Sequence, residues 1–237
     1  LADPAGTHAQ IKQFINSFGK KYELDPGYTY RLLSQANYLP EIMAQMKKPF
    51  EKLPWYRYRE LFVTPQRVEA GVNFWKKNRK ILDWAYKEYG VPPRIIVALI
   101  GMETKYGQQM GDHPVLDTLA TLGFNYKPRD KFFQKELASY LVLTKELEVD
   151  PTTVHGSYSG AMGMCQFMPS SYLNYGIDFQ GHNRPDLFND SADVIFSVAN
   201  FLRQSGWDTE QPTAVQAKVI GNRYRSVLVD NLPHHVH

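Results

Sequence analysis

Pro92-Pro93-Arg94-Ile95-Ile96-Val97-Ala98-Leu99-Ile100-Gly101-Met102-Glu103-Thr104-Lys105-Tyr106-Gly107 is the stretch that decides the fold class. Two prolines open a helix, because proline suits a first helical position. The run that follows is apolar nearly all round, which predicts a buried helix in the middle of a helical domain. The run ends on a glutamate. Counting back three, four and seven residues from Glu103 gives Ile100, Leu99 and Ile96, which share its face. A carboxyl on an apolar stripe is desolvated, and desolvation raises its pKa. A carboxylic acid that stays protonated near neutral pH is a proton donor for bond cleavage. Gly107 and Gly111 leave open space near it. The plain alternative is a helix-end glutamate paired with Lys105 or an arginine, and this segment alone leaves both readings open.

Outward from this helix the pattern stays helical. Ile11, Phe14, Ile15, Phe18 and Tyr22 recur at helical spacing, and Asp25-Pro26 begins a helix carrying Leu32, Leu33 and Ala36. Residues 49–54 read as a linker. Thr64-Pro65 caps one long helix running to Tyr89, with Gly90 ending it. Further helices fit 115–122, 129–147, 169–175 and 191–204. The Gly/Ser-rich stretch 156–163 is a loop, and 178–189 is a polar loop between helices. Weak alternation over 213–220 and β-prone residues over 224–229 predict the start of a small β-containing lobe. The expected organisation is therefore mainly α: an N-terminal helical region over 1–90, a core over 91–208, and a partial β lobe or tail over 209–237.

Composition narrows the function. A chain of 237 residues, 43% hydrophobic, can bury a sizeable core. Aromatics at 14% suit the stacking of sugar rings, although most aromatics simply fill cores. A net charge of +3 is too mild for nucleic acid, and the basic run Lys76-Lys77-Asn78-Arg79-Lys80 fits a solvated helix face. The single cysteine, Cys165, allows no intramolecular disulfide, and as a nucleophile it would need a base for which only His155 is near in sequence. His234, His235 and His237 read as tail residues. No apolar run reaches membrane-spanning length.

A second chemical feature is Gly156-Ser157-Tyr158-Ser159-Gly160-Ala161-Met162-Gly163-Met164-Cys165-Gln166-Phe167-Met168-Pro169-Ser170. Small residues let a ligand approach the backbone. Gln166 can donate and accept, as an N-acetyl amide or a sugar hydroxyl requires. A glutamine in an apolar run must in any case be hydrogen-bonded.

Taken together, Trp55-Tyr56-Arg57-Tyr58-Arg59, Tyr89-Gly90-Val91-Pro92-Pro93, Gly101 to Gly107, Leu116 to Leu122, Gly156 to Gly163, Gln166 to Tyr172 and Ser197-Val198-Ala199-Asn200 occur in an order that resembles the MltB-type (family 3) lytic transglycosylases, over roughly residues 50–208. The resemblance implies a lysozyme-like catalytic α domain with flanking helices. It implies that Glu103 protonates the oxygen leaving from the β-1,4 bond between N-acetylmuramic acid and N-acetylglucosamine in peptidoglycan. Glu103 then acts as base on the C6 hydroxyl, giving a 1,6-anhydro product. Two carboxylates are usual in glycosidases; here the substrate's N-acetyl group stands in for the second. By the same carry-over Ser157 and Gln166 line the muramoyl subsite, Tyr58 sits near Glu103, and Arg129 lies by the groove, with a surface salt bridge as its alternative.

The resemblance also implies a calcium loop of EF-hand type at 178–193. Asp178 and Asp193 are its candidate ligands, but Gln180 and His182 stand where oxygen donors are expected, so a weakened or empty site is predicted and no cofactor is required. Phe201 stands where the family often has tyrosine. The implied partners are glycan strands, with no nucleic acid, for a monomer in the periplasm that could carry an outer-membrane lipid anchor upstream of Leu1. Two rivals remain: a hydrolytic muramidase, for which Asp112 or Asp117 would be the second carboxylate, and a non-catalytic peptidoglycan-binding module.

Overall fold

A computed structural model describes residues 3–47, 55–216 and 218–222. Helix α1 (His8–Phe18) starts at a capping box: the Thr7 hydroxyl accepts from the Gln10 amide (3.2 Å), and the Gln10 side chain accepts from the Thr7 amide (2.8 Å). It buries Ile11 and Phe14. Helix α2 (Pro26–Ser34) has Asp25 as its cap and buries Leu32 and Leu33. Two short helices, α3 (Pro40–Gln45) and α4 (Trp55–Phe62), are additions to the sequence reading. At six and eight residues they are too short for a 3.6-residue period to stand out.

Thr64 and Pro65 open α5 (Pro65–Lys77) as expected, but the single helix predicted to Tyr89 divides at Asn78. The Asn78 backbone leaves helical geometry (φ −108°, ψ 17°). Its buried amide donates to the Phe74 carbonyl (2.9 Å) and accepts from the Ser191 hydroxyl (2.7 Å). An asparagine competing for the backbone can interrupt a helix, and here a distant serine rewards it. Helix α6 (Arg79–Tyr89) ends on Gly90 in the left-handed region (φ 70°), where glycine carries no Cβ penalty.

Helix α7 (Pro93–Thr104) corrects one expectation. Ile96, Val97, Ile100, Gly101 and Thr104 are buried, while Arg94, Ala98, Met102 and Glu103 open to solvent. An all-round apolar pattern does not say which flank the rest of the chain leaves uncovered. A two-residue strand β1 (His113–Pro114) follows, then α8 (Val115–Asn125), buried from Val115 to Phe124 apart from half-buried Asp117, and α9 (Asp130–Glu146), which packs along it. Strand β2 (His155–Gly156) pairs antiparallel with β1. This ribbon forces a close backbone approach: a Cβ on Gly111, whose φ is +94°, would overlap the Gly156 carbonyl. Helices α10 (Pro169–Tyr175) and α11 (Ser191–Gln204) complete the unit. Leu119, Leu122, Leu137, Tyr140, Ile195 and Val198 are fully buried at its centre.

Residues 1–207 form one compact unit, and 208–237 a second. Within the described residues of the second, turns stand at 209–210 and 221–222 and no strand forms over 213–220. The β-prone stretch 224–229 lies outside the described residues, as do His234, His235 and His237.

Candidate active site

Glu103 occupies the last turn of α7, one residue before the helix ends. Its side chain is exposed by area, yet enough protein surrounds the carboxyl for desolvation to raise its pKa. The two facts fit a carboxyl on an open wall: its edge meets solvent while its flank rests on protein. The negative end of the helix dipole acts in the same direction as desolvation. None of the ion pairs among the described residues includes Glu103, so the pairing with Lys105 or an arginine does not form there.

The backbone after Glu103 turns sharply. Lys105, Tyr106 and Gly107 all take left-handed φ values, 49°, 61° and 85°. Buried Thr104 holds this turn, donating from its hydroxyl to the Met164 carbonyl (2.7 Å) and accepting from the Gly107 amide (2.9 Å). Gln166, itself left-handed (φ 52°), makes the second tie: its amide nitrogen donates to the carbonyls of Met110 and Gly163, both at 3.0 Å. A reciprocal backbone pair between Met162 and Phe167 closes the loop that presents Gln166. The segments around Glu103 and Gln166 are therefore cross-linked. The cost of placing Gln166 among apolar neighbours is met by two backbone acceptors for its amide nitrogen. The Ser157 oxygen accepts from the amides of Ala161 (3.0 Å) and Ser159 (3.3 Å), so its first task is to shape its own loop.

Tyr58 is half-buried on α4 with its ring stacked on Phe62 at 4.5 Å. Arg67 of α5 lies over the Phe62 ring at 5.0 Å and donates to the Gly101 carbonyl (3.0 Å). The contacts from Tyr58 thus run to the helix that carries Glu103. Arg129 is exposed, its guanidinium 4.2 Å from the Phe132 ring centre and 5.6 Å from that of Phe133. No salt bridge to it forms among the described residues. Thr104 and Arg67 escaped the sequence reading. A threonine beside a glutamate on a buried helix face was the available signal for the first, and no local signal marks the second.

Other candidates are accounted for. Asp117 accepts from the Asn37 amide and side chain, both at 3.1 Å, and so anchors the 37 loop. The Asp112 side chain is 99% exposed, with the His113 ring nitrogen 3.8 Å from its carboxyl. Burial pushes the Cys165 thiol up to about 12, away from the thiolate a nucleophile needs, while His155 is exposed with Nδ1 against the Thr153 carbonyl. Phe201 packs its ring against Phe167 and Tyr175. A cavity of about 560 Å³ has Met110, Gly111, Leu143, Met162, Tyr172 and Arg184 in its wall, but not Glu103. Glu103 lies outside this hollow, on the open wall at the end of α7.

In the 178–193 loop the acidic side chains serve the backbone. Asp178 accepts from the amides of Gly181 (2.8 Å) and His182 (3.0 Å). Desolvation pulls its pKa upward, but the backbone donors outweigh it and hold it low. Buried Asp193 accepts from Phe179 (2.9 Å) and Asp186 (2.8 Å), and desolvation raises its pKa against those bonds. Gln180 donates to Asp190, and among the described residues no three His, Cys, Asp or Glu side chains converge on a cation position. Calcium takes about six to eight oxygens, carbonyls among them, and here the Asp178 and Asp193 carboxylates accept from backbone amides of their own loop.

The profile of the transglycosylase SLT domain family matches residues 6–233. The chain is 41% identical over 216 residues to the membrane-bound lytic murein transglycosylase B of Escherichia coli (strain K12), covering 87% of this chain and 60% of that protein. It therefore spans less than two thirds of that relative's length. Among solved structures, the catenated lytic transglycosylase SltB1 of Pseudomonas aeruginosa superposes with a TM-score of 0.83 at 41% identity, covering 89% of this chain and 69% of that one. The Escherichia coli lytic transglycosylase Slt35 in complex with calcium superposes with a TM-score of 0.79 at 41% identity, covering 86% and 65%.

Proposed function

The chain belongs to the transglycosylase SLT domain family, and on that premise we propose that it is a lytic transglycosylase cutting the β-1,4 bond between N-acetylmuramic acid and N-acetylglucosamine in peptidoglycan, with Glu103 as acid and then base. The observation that carries the reading is the Glu103 carboxyl itself, solvent-reachable, without an ion-pair partner among the described residues, and raised in pKa by desolvation. Protonated, it donates to the bridging oxygen as the bond to muramoyl C1 breaks. The carboxylate then takes the proton of the C6 hydroxyl while O6 closes on C1. The product is a 1,6-anhydro ring, the carboxyl is regenerated and no water is consumed.

The Gln166 carbonyl oxygen and the Ser157 hydroxyl face a muramoyl unit in this proposal, Tyr58 supports Glu103, and Arg129 meets a carboxylate of the peptide stem. The 178–193 loop keeps its shape through Asp178 and Asp193 without depending on calcium. Glycan strands are the partner, and the protein acts as a monomer in the periplasm, with an outer-membrane lipid anchor upstream of Leu1 as a further part of the proposal. No helix among the described residues is long and apolar enough to cross a membrane. Digestion of purified sacculi followed by mass spectrometry tests the reaction. Muropeptides ending in 1,6-anhydromuramic acid are expected, and Glu103→Gln should remove them. Products heavier by one water would make the protein a hydrolase, and an active Glu103→Gln variant would overturn the assignment.

A further inference from the structure

Three successive left-handed residues follow the Glu103 helix, and two of them, Lys105 and Tyr106, are not glycine. That backbone is unfavourable for L residues and persists only where surroundings impose it. Thr104 ties the turn on one side. On the other, the Tyr106 side chain runs back between α5 and α7. A Cβ added to Gly71 of α5, or to Gly101 of α7, would overlap the Tyr106 hydroxyl oxygen. The two glycines therefore form a slot that the phenol fills. Phe74 stacks on the ring at 5.2 Å, so the phenol cannot simply swing aside. Arg67, bonded to the Gly101 carbonyl, is close enough to pull the Tyr106 pKa down against the larger effect of desolvation.

We propose that Tyr106 is a positioning residue for Glu103: wedged between Gly71 and Gly101, it locks the left-handed turn that ends the helix and so fixes where the carboxyl points. This rests on the reading of Glu103 as the acid. The turn can be held without Tyr106 touching substrate: the ring rests on Phe74 while the hydroxyl end fills the slot between the two glycines. Tyr106→Phe keeps the ring on Phe74 but empties the end of the slot, so it should fall between wild type and Tyr106→Ala. Gly71→Ala fills the slot from a different helix and should copy Tyr106→Ala without altering either the turn or Glu103 in sequence.

The test compares Tyr106→Ala, Tyr106→Phe and Gly71→Ala in the full chain by hydrogen exchange and by steady-state kinetics on sacculi. Amide exchange over residues 101–111 should rise roughly tenfold or more in Tyr106→Ala and Gly71→Ala, with α8 and α9 unchanged. Their kcat should fall about a hundredfold at nearly constant KM. Exchange within roughly twofold of wild type in both variants overturns the proposal, and so does a preserved kcat with a loosened turn. Should Tyr106→Ala fail to fold, Gly71→Ala and Tyr106→Phe decide alone. Turnover retained by Glu103→Gln would refute the catalytic reading separately, while the exchange data would still show whether Tyr106 holds the turn.

Discussion

Replacing Thr104 by valine removes one hydroxyl and leaves the side-chain shape almost unchanged. Thr104 is 1% exposed, and that hydroxyl both donates to the Met164 carbonyl and accepts from the Gly107 amide. Valine would leave both backbone groups without their partner. An unsatisfied buried group costs about 1–3 kcal/mol. Met164 and Gly107 are only half-buried, so the lower part of that range applies to each. The sum is about 2–4 kcal/mol. Serine keeps the hydroxyl and gives up one methyl group, for about 1 kcal/mol. Urea unfolding followed by circular dichroism would measure both, with stability read from the midpoint at constant slope. The expected order is wild type, then Ser, then Val. A valine variant within about 0.5 kcal/mol of wild type would refute the reasoning, and so would a serine variant as unstable as the valine one. In either case Thr104 would not be the tie between the Glu103 turn and the 156–167 loop.

Glu103→Gln should stabilise the fold as it removes activity. A carboxyl whose pKa is raised on folding binds more protons in the native state than in the unfolded chain between its ordinary value and its raised one. Its effect is therefore absent below the ordinary pKa, and stability is lost as pH rises through that window and stays lost above it. The gain in melting temperature for Glu103→Gln over wild type should accordingly grow through that window and then level, and a gain that shrinks with rising pH would contradict the desolvated carboxyl. Asp193→Ala removes two bonds from backbone amides to a buried carboxylate, and should cost about 2–4 kcal/mol, equally with calcium or with chelator. Calcium at 1 mM, about equal to or below the dissociation constant of so poor a donor set, should add no more than about 0.4 kcal/mol to the wild type. A larger calcium gain in differential scanning calorimetry would show that the loop rearranges into a true cation site.

Much of the fold was legible because its helices bury one face and carry their own start and stop chemistry. Asp25, Thr64 and Gly90 act as the signals the sequence offered, while the capping box at Thr7 went unread. The break at Asn78 was not legible. Lys76 to Lys80 continue a good helical pattern, and the interruption depends on a hydroxyl 113 residues away, on Ser191. The ribbon of β1 and β2 was invisible for a similar reason: two residues on each side have no period, and the pairing rests on Gly111 meeting the Gly156 carbonyl. The helix that carries Glu103 was legible through its apolar run, but the exposed flank on which Glu103 stands was not. Gln166 was legible as a polar group that needed partners, although not which partners.

The sequence by itself determined that this chain is mainly helical, that a carboxyl stands near the end of a strongly apolar helix, and that a small-residue loop with a glutamine accompanies it. Those features follow from local periodicity, capping and the cost of burying a polar group, which act over a few residues. Only the tertiary structure decided that Thr104 and Gln166 tie the two segments together, that Tyr106 fills a slot between Gly71 and Gly101, and that Asp178 and Asp193 spend their oxygens on the backbone of their own loop. Each of these needs a hydrogen-bond partner or a steric neighbour brought close by the fold, and no pattern along the chain carries that distance.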